Sequence, residues 1–241
     1  MIRLVRAEFA KLSGSLALLF ALVVPALPSF LVALAVLSRG KAATWSQMLD
    51  EFTIPLWALF LFPMAAATFC VLLAQVEHRA RSWDHLFLLP FSRWQIYSAK
   101  MFVVAAALVA MTLLVPVYVA IAGTLTGLAT GNLPSGSIAW DQSLGFAARL
   151  LGAAAFLGVL QAWAALRFGN FVIPLVIAMG GTLVGLAVAM TGTQDADWFP
   201  WVLPMRAIGQ GQPDLPVIIG LCGGLAALVV ALFDLSRQSR S

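Results

Sequence analysis

Six long apolar stretches, near residues 16 to 37, 53 to 76, 101 to 127, 150 to 166, 170 to 192 and 215 to 235, leave this chain few ways to fold. A hydrocarbon layer about 30 Å thick is crossed by roughly 20 apolar residues in helical form. Inside that layer every backbone amide must find its partner within the protein. Continuous runs of this length also lack the alternation of a membrane-spanning β-strand. The expected fold class is therefore an all-α membrane protein with six transmembrane helices. A mean hydropathy of +0.97 and a charged fraction of 10% agree, since soluble domains carry about 25% charged residues. The first run is longer than the apolar core of a secretory signal and no small-x-small site follows closely, so it is expected to be retained as a crossing. Cys70 and Cys222 both lie inside apolar runs, where cysteine behaves as a small buried hydrophobe.

Six crossings return the chain to the side on which it started. The N-terminal tail, residues 77 to 100, the turn at 167 to 170 and the C-terminal tail then share one side. Ten Lys and Arg fall there, against four (Arg39, Lys41, Arg149 and Arg206) on the other. Basic residues are retained on the cytoplasmic face, so both termini and the 77 to 100 segment are expected in the cytoplasm. The sequence pI near 9.6 follows from this asymmetry, and no nucleic-acid partner is implied.

Residues 1 to 15 place Ile2, Val5, Phe9 and Leu12 on one stripe, with Arg3, Arg6 and Lys11 available to lipid headgroups. That pattern predicts an interfacial amphipathic helix. Prolines interrupt the runs: Pro25 and Pro28 in the first, Pro55 and Pro63 in the second, Pro116 in the third, Pro174 in the fifth. Each removes a backbone donor and predicts a bend whose freed carbonyl a neighbour must satisfy. In the outer loop 193 to 214, Trp198 and Trp201 are expected in the headgroup belt, with a partly re-entrant WFPWVLP segment as the alternative. Trp45 and Trp140 take the same place in the other outer loops. Arg149 reads as a side chain snorkelling to the outer headgroups, with a lumen-facing role as the alternative. Gly123 with Gly127, Gly181 with Gly185 and Gly220 with Gly224 permit close backbone approach, chiefly within the chain. No repeat or linker divides the sequence, and residues 1–241 are expected to form a single transmembrane domain.

One segment departs from its surroundings. Residues 77 to 100, EHRARSWDHLFLLPFSRWQIYSAK, hold six charged residues and both histidines. From Glu77 to Leu89 the spacing of Trp83, Leu86 and Phe87 with Arg79, Arg81 and Asp84 predicts a short amphipathic helix, ended by Pro90. Ser92 and Gln95 then stand at the spacing of a capping box, which starts a new helix that continues through Lys100 into the third crossing. His78 and His85, beside Glu77 and Asp84, lack a third ligand at helical spacing, so no metal is expected. Large apolar side chains rimmed by arginine mark an interaction surface for lipid or protein.

The order of a glutamate, a cytoplasmic helix, LLPFSRWQIYSAK and a transmembrane helix resembles the ABC-2 type transporter permeases. Residues 161 to 186, QAWAALRFGNFVIPLVIAMGGTLVGL, and the outer WFPWVLPM are similar to the lantibiotic-immunity and bacitracin-export-like branch. The resemblance implies an N-terminal elbow helix at residues 1–15, six crossings, and a short cytoplasmic coupling helix between the second and third crossings that docks on an ATPase. The coupling roles would fall to Glu77, Arg81, Asp84, Pro90, Ser92, Arg93 and Lys100. It further implies two ATPase subunits that hold ATP and Mg, a second permease copy or paralogue, a bacterial inner or plasma membrane, and an amphiphilic cargo such as a peptide antibiotic.

The chain itself carries no ATP site. A phosphate-binding loop needs G-x-x-x-x-G-K followed by Ser or Thr, and the one Gly-Lys pair, Gly40 and Lys41, has Ala35 and Ala42 in the other required places. An intramembrane enzyme would need convergent buried catalytic groups, which the spans lack. A secondary transporter or a scaffold or sensor partner is the competing class; ion coupling calls for intramembrane acids or an inverted repeat, and neither is evident. Trp57, Phe62, Phe69, Gln161 and Trp163 are candidates for lining a substrate pathway, with packing against lipid or neighbouring helices as the alternative.

Overall fold

The computed structural model describes residues 1–39, 43–80, 91–191, 196–209 and 214–237. Among these residues there is no β-strand, and six helices are long and apolar enough to cross a membrane. Helix α1, Ile2–Leu12, precedes the first crossing, which is divided into α2, Leu16–Val23, and α3, Ala26–Arg39. The second crossing, Gln47–His78, combines two π-helical stretches, Gln47–Thr53 and Trp57–Leu61, with α4, Ile54–Leu56, and α5, Phe62–Ala80. Then come α6, Arg93–Thr130; α7, Trp140–Arg167; α8, Val172–Thr191; the short α9, Leu203–Ile208; and α10, Asp214–Arg237.

The prolines act where the backbone chemistry says they should. The break between α2 and α3 falls at Pro25, and the Tyr118 hydroxyl of α6 donates to the Leu22 carbonyl beside it at 2.8 Å. Each π-helical stretch closes on the residue before a proline. The Ile54 amide bonds back to Leu49 and the Phe62 amide to Trp57, each five residues earlier, just ahead of Pro55 and Pro63. Ile54 and Phe62 themselves keep α-helical geometry. A proline inside a helix has no N–H to donate and its ring crowds the carbonyl four residues back, and the widened turn just ahead of it makes room without ending the crossing. Pro116 lies inside α6, which continues unbroken for 38 residues.

Several helices extend past the apolar runs. The second crossing begins at Gln47 rather than 53, the third at Arg93 rather than 101, and the fourth at Trp140 rather than 150. Hydropathy detects the part of a helix that lipid covers, and polar residues such as Asp50 and Gln142 sit on turns beyond it. Arg149 is exposed on the outer wall of α7.

All three glycine pairs are used inside the chain. A Cβ on Gly123 would lie 2.5 Å from the Trp45 ring, and one on Gly127 would lie 2.7 Å from Leu133. On α10, a Cβ on Gly220 would fall 2.3 Å from the Ala153 carbonyl oxygen, so these glycines let α7 and α10 touch backbone to backbone. Gly181 of α8 seats the Trp201 ring, which would meet a Cβ there at 2.3 Å, and Gly185 lies against the Cβ and carbonyl of Trp201. Trp201 is therefore buried and stacked on Phe199, against the expected place in the headgroup belt, while Trp198 is exposed. The segment 196–209 folds in against the middles of α7 and α8, where Leu203 and Ala207 pack on Ala153 and Trp201 on Gly181. The main core lies where the second, third and fourth crossings meet, around Trp57, Phe62, Phe69, Met111 and Leu157.

Candidate functional site

Leu4, Glu8 and Leu12 recur every fourth residue along α1, and all three are buried. The helix thus turns a carboxylate inward between two leucines, which calls for a cationic partner. The expected apolar stripe is rotated as a result: Ile2 and Phe9 are exposed, and Leu4 packs on Ile96 and Ala99 of α6. Phe9 rests edge-on against Phe102.

The partner of Glu8 is Lys100. Its side chain has no exposed surface and reaches Glu8 Oε2 at 2.8 Å and Glu77 Oε1 at 2.6 Å. Lys11 donates to the same two acids, 2.6 Å to Glu8 Oε1 and 2.9 Å to Glu77 Oε1. Two carboxylates and two ammonium groups form an electrically neutral quartet at the junction of α1, the end of α5 and the first turns of α6. Three of its members are buried, and only Lys11 retains contact with solvent, at 31% exposure. Burial pulls the Lys11 ammonium toward neutrality, but its hydrogen bonds to Glu8 and Glu77 outweigh this and hold its pKa above the ordinary lysine value.

The start of α6 is fixed by sequence. Ser92 is its cap: the Gln95 amide donates to Ser92 Oγ at 3.4 Å, and the Ser92 amide donates to Gln95 Oε1 at 3.0 Å. That is the capping box read from the spacing, and it sets Lys100 two turns into the helix, level with Glu77. A 38-residue helix measures about 57 Å at 1.5 Å per residue, nearly twice the ~30 Å of a hydrocarbon layer. The quartet therefore grips a rod that starts outside the membrane and runs through it.

A second cluster ties α7 to α10. The Trp163 indole donates to Asp234 at 2.9 Å, and Arg167 Nε meets the same oxygen at 3.1 Å. His78 approaches the Ala165 carbonyl at 3.3 Å and so links α5 to α7.

Of the residues singled out by sequence, Glu77 and Lys100 are brought into contact, Ser92 caps α6 and Arg93 is exposed on its first turn. Arg81, Asp84 and Pro90, with the short helix expected up to Leu89, lie outside the described residues beyond Ala80. Trp57, Phe62, Phe69 and Gln161 are buried within the core, with Trp57 edge-on to Phe62, and Trp163 is half-buried beside Asp234. Sequence reasoning missed Glu8 and Lys11, although an acid flanked by leucines on one helical stripe was the available signal.

An all-helical bundle of six apolar crossings with a charged junction at its basic end defines a multi-pass membrane protein. Comparison with protein families matches residues 4–185 to the family described as ABC-2 family transporter protein. The chain belongs to the ABC-2 transporter family. It is accordingly a membrane permease component of an ABC transporter, a non-catalytic transport subunit that works with an ATPase subunit. Searches of curated proteins and of solved structures returned no match.

Proposed function

We propose that this permease exports an amphiphilic substrate, a peptide antibiotic or similar molecule, as in the lantibiotic-immunity and bacitracin-export-like branch. Two copies of a separate polypeptide bind and hydrolyse ATP with Mg, and a second permease copy or paralogue completes the transporter. The basic end faces the cytoplasm of a bacterial plasma membrane. The ATPase engages residues 77 to 93 there, with Arg81, Asp84, Pro90, Ser92 and Arg93 at the contact.

The observation that carries this reading is the neutral quartet. A push delivered ahead of Ser92 acts on the base of α6, and Glu77 and Lys100 pass it to α5 and α1 together. Rigid ion-paired helices transmit such a displacement, while the proline-adjacent π turns of the second crossing and the α2–α3 break provide places to bend. In the conformation described, Trp57, Phe62, Phe69 and Gln161 are closed off; alternating access assigns them to a state in which α5 and α7 part.

The test is ATP hydrolysis by the partner ATPase in vesicles containing the permease. Arg93→Glu, at an exposed position, is expected to reduce permease-stimulated hydrolysis while membrane insertion is retained. Glu77→Ala, which unbalances the buried quartet, is expected to reduce stimulation and stability together. Full stimulation by both variants would remove the coupling assignment, and substrate export by the purified permease without any ATPase would remove the reading altogether.

A further inference from the structure

On the face of α10 away from α6 runs an apolar groove of about 360 Å³, walled by Phe156, Leu160 and Trp163 of α7 and floored by Gly223, Ala226 and Val230. Its floor is shallow because the side chains there are small; a Cβ on Gly223 would already lie 2.9 Å from the Phe156 ring. Every one of these residues lies inside a crossing, so the groove opens sideways at bilayer depth.

At the end of the groove nearer the quartet the chemistry changes abruptly. Trp163 turns its indole N–H to Asp234, and Arg167, one turn further along α7, meets the same carboxylate oxygen. Arg237 stands two turns beyond Val230 on the same face of α10. Its guanidinium lies 3.8 Å above the Phe233 ring, is exposed, and joins no salt bridge among the described residues. The mouth thus carries two arginines and one acid, and the acid is already taken up by Trp163 and Arg167.

We infer that this groove holds one acyl chain of an anionic phospholipid, with Arg237 and Arg167 meeting the headgroup phosphate. The shape suits an extended chain: from Gly223 to Ala231 the groove runs about 12 Å along the helix. The available 360 Å³ accommodates a single hydrocarbon chain. Charge selects the headgroup: the surplus cation favours a net negative lipid, and among the described residues the one carboxylate at the mouth, Asp234, is already bonded to Trp163 and Arg167. The inference rests on the six membrane-crossing helices alone and is independent of what the transporter carries.

The full chain is reconstituted in vesicles of mixed phosphatidylglycerol and phosphatidylcholine, each in turn bearing a photoactivatable group in one acyl chain. The labelled peptides are then mapped. Labelling is expected to concentrate on residues 156–163 and 223–231 and to favour phosphatidylglycerol. Ala226→Trp, at an exposed position, fills the groove and is expected to abolish this labelling while leaving that of the exposed α8 face at Val176 and Leu183 unchanged. Arg237→Gln keeps the chain labelling but reduces the preference for phosphatidylglycerol about fivefold, the effect of one basic residue near an anionic surface. Labelling spread over all exposed faces in proportion to exposure, or equal for both lipids, overturns the inference. So does an oxidative disulfide between copies through Cys222, exposed one turn from Ala226, because it seats a second copy on this face.

Discussion

Lys100 lies fully buried between two carboxylates, so the quartet tolerates exchange of charge poorly and exchange of shape better. Lys100→Met leaves Glu8 and Glu77 with only Lys11 and a net negative charge in a buried place. Breaking a buried ion pair from one side costs about 3–5 kcal/mol, and a large drop in unfolding temperature in detergent is expected. The double variant Glu8→Gln with Lys100→Met restores neutrality and is expected to lose less than the two single losses combined, a coupling readable in a double-mutant cycle. The raised pKa of Lys11 has a definite sign: its contribution is fully present below the unfolded lysine value and is lost as pH rises through the higher folded value. Stability is therefore expected to be insensitive to Lys11 near neutrality and to fall in the alkaline range above 10.5, a fall that Lys11→Met removes. Gln161 is buried with neither amide atom bonded among the described residues. An unmade buried hydrogen bond costs about 1–3 kcal/mol, so Gln161→Met is expected to raise the unfolding temperature. If export falls while stability rises, the amide serves the transport path. At this scale the sequence drew attention to Glu77 and Lys100 only through the family resemblance, without their pairing, and the inward turn of Glu8 and Lys11 was passed over. A carboxylate on a predicted interfacial helix reads as solvated until its neighbour from another helix is known.

Among the elements, the start of α6 was legible because it is a local event. Ser92 and Gln95 satisfy each other's backbone across three residues, and nothing distant is required. Ser92→Ala removes one cap and is expected to destabilise by about 1 kcal/mol, measurable as faster amide exchange over the first turn of α6. The glycine pairs were less legible. Spacing signals that something comes close, yet only the fold shows that Gly181 receives Trp201 and Gly220 receives the α7 backbone. The two differ in consequence. Gly181→Ala displaces a side chain and is expected to loosen segment 196–209, whereas Gly220→Ala meets the Ala153 carbonyl at 2.3 Å, where no side chain can move aside. Gly220→Ala should lower the unfolding temperature more. The burial of Trp201 escaped the sequence because an aromatic residue in an outer loop satisfies the same pattern whether it meets lipid headgroups or a glycine seat.

The molecule as a whole combines six crossings legible from hydropathy with a junction that hydropathy hides. Ser92→Cys and cysteines added at either terminus are expected to react with a membrane-impermeant thiol reagent only after the cytoplasmic side is opened. Reaction in intact cells would reverse the orientation. The quartet also bears on how the protein is made. Glu8, Lys11 and Glu77 all leave the ribosome before Lys100, so a nascent chain holding only the first two crossings has one positive group for two negative ones. The junction of these crossings is completed only when the third helix brings Lys100 to balance them. Fragments halted ahead of residue 100 should therefore be short-lived substrates for membrane proteases, while those ending just past Thr130 should survive.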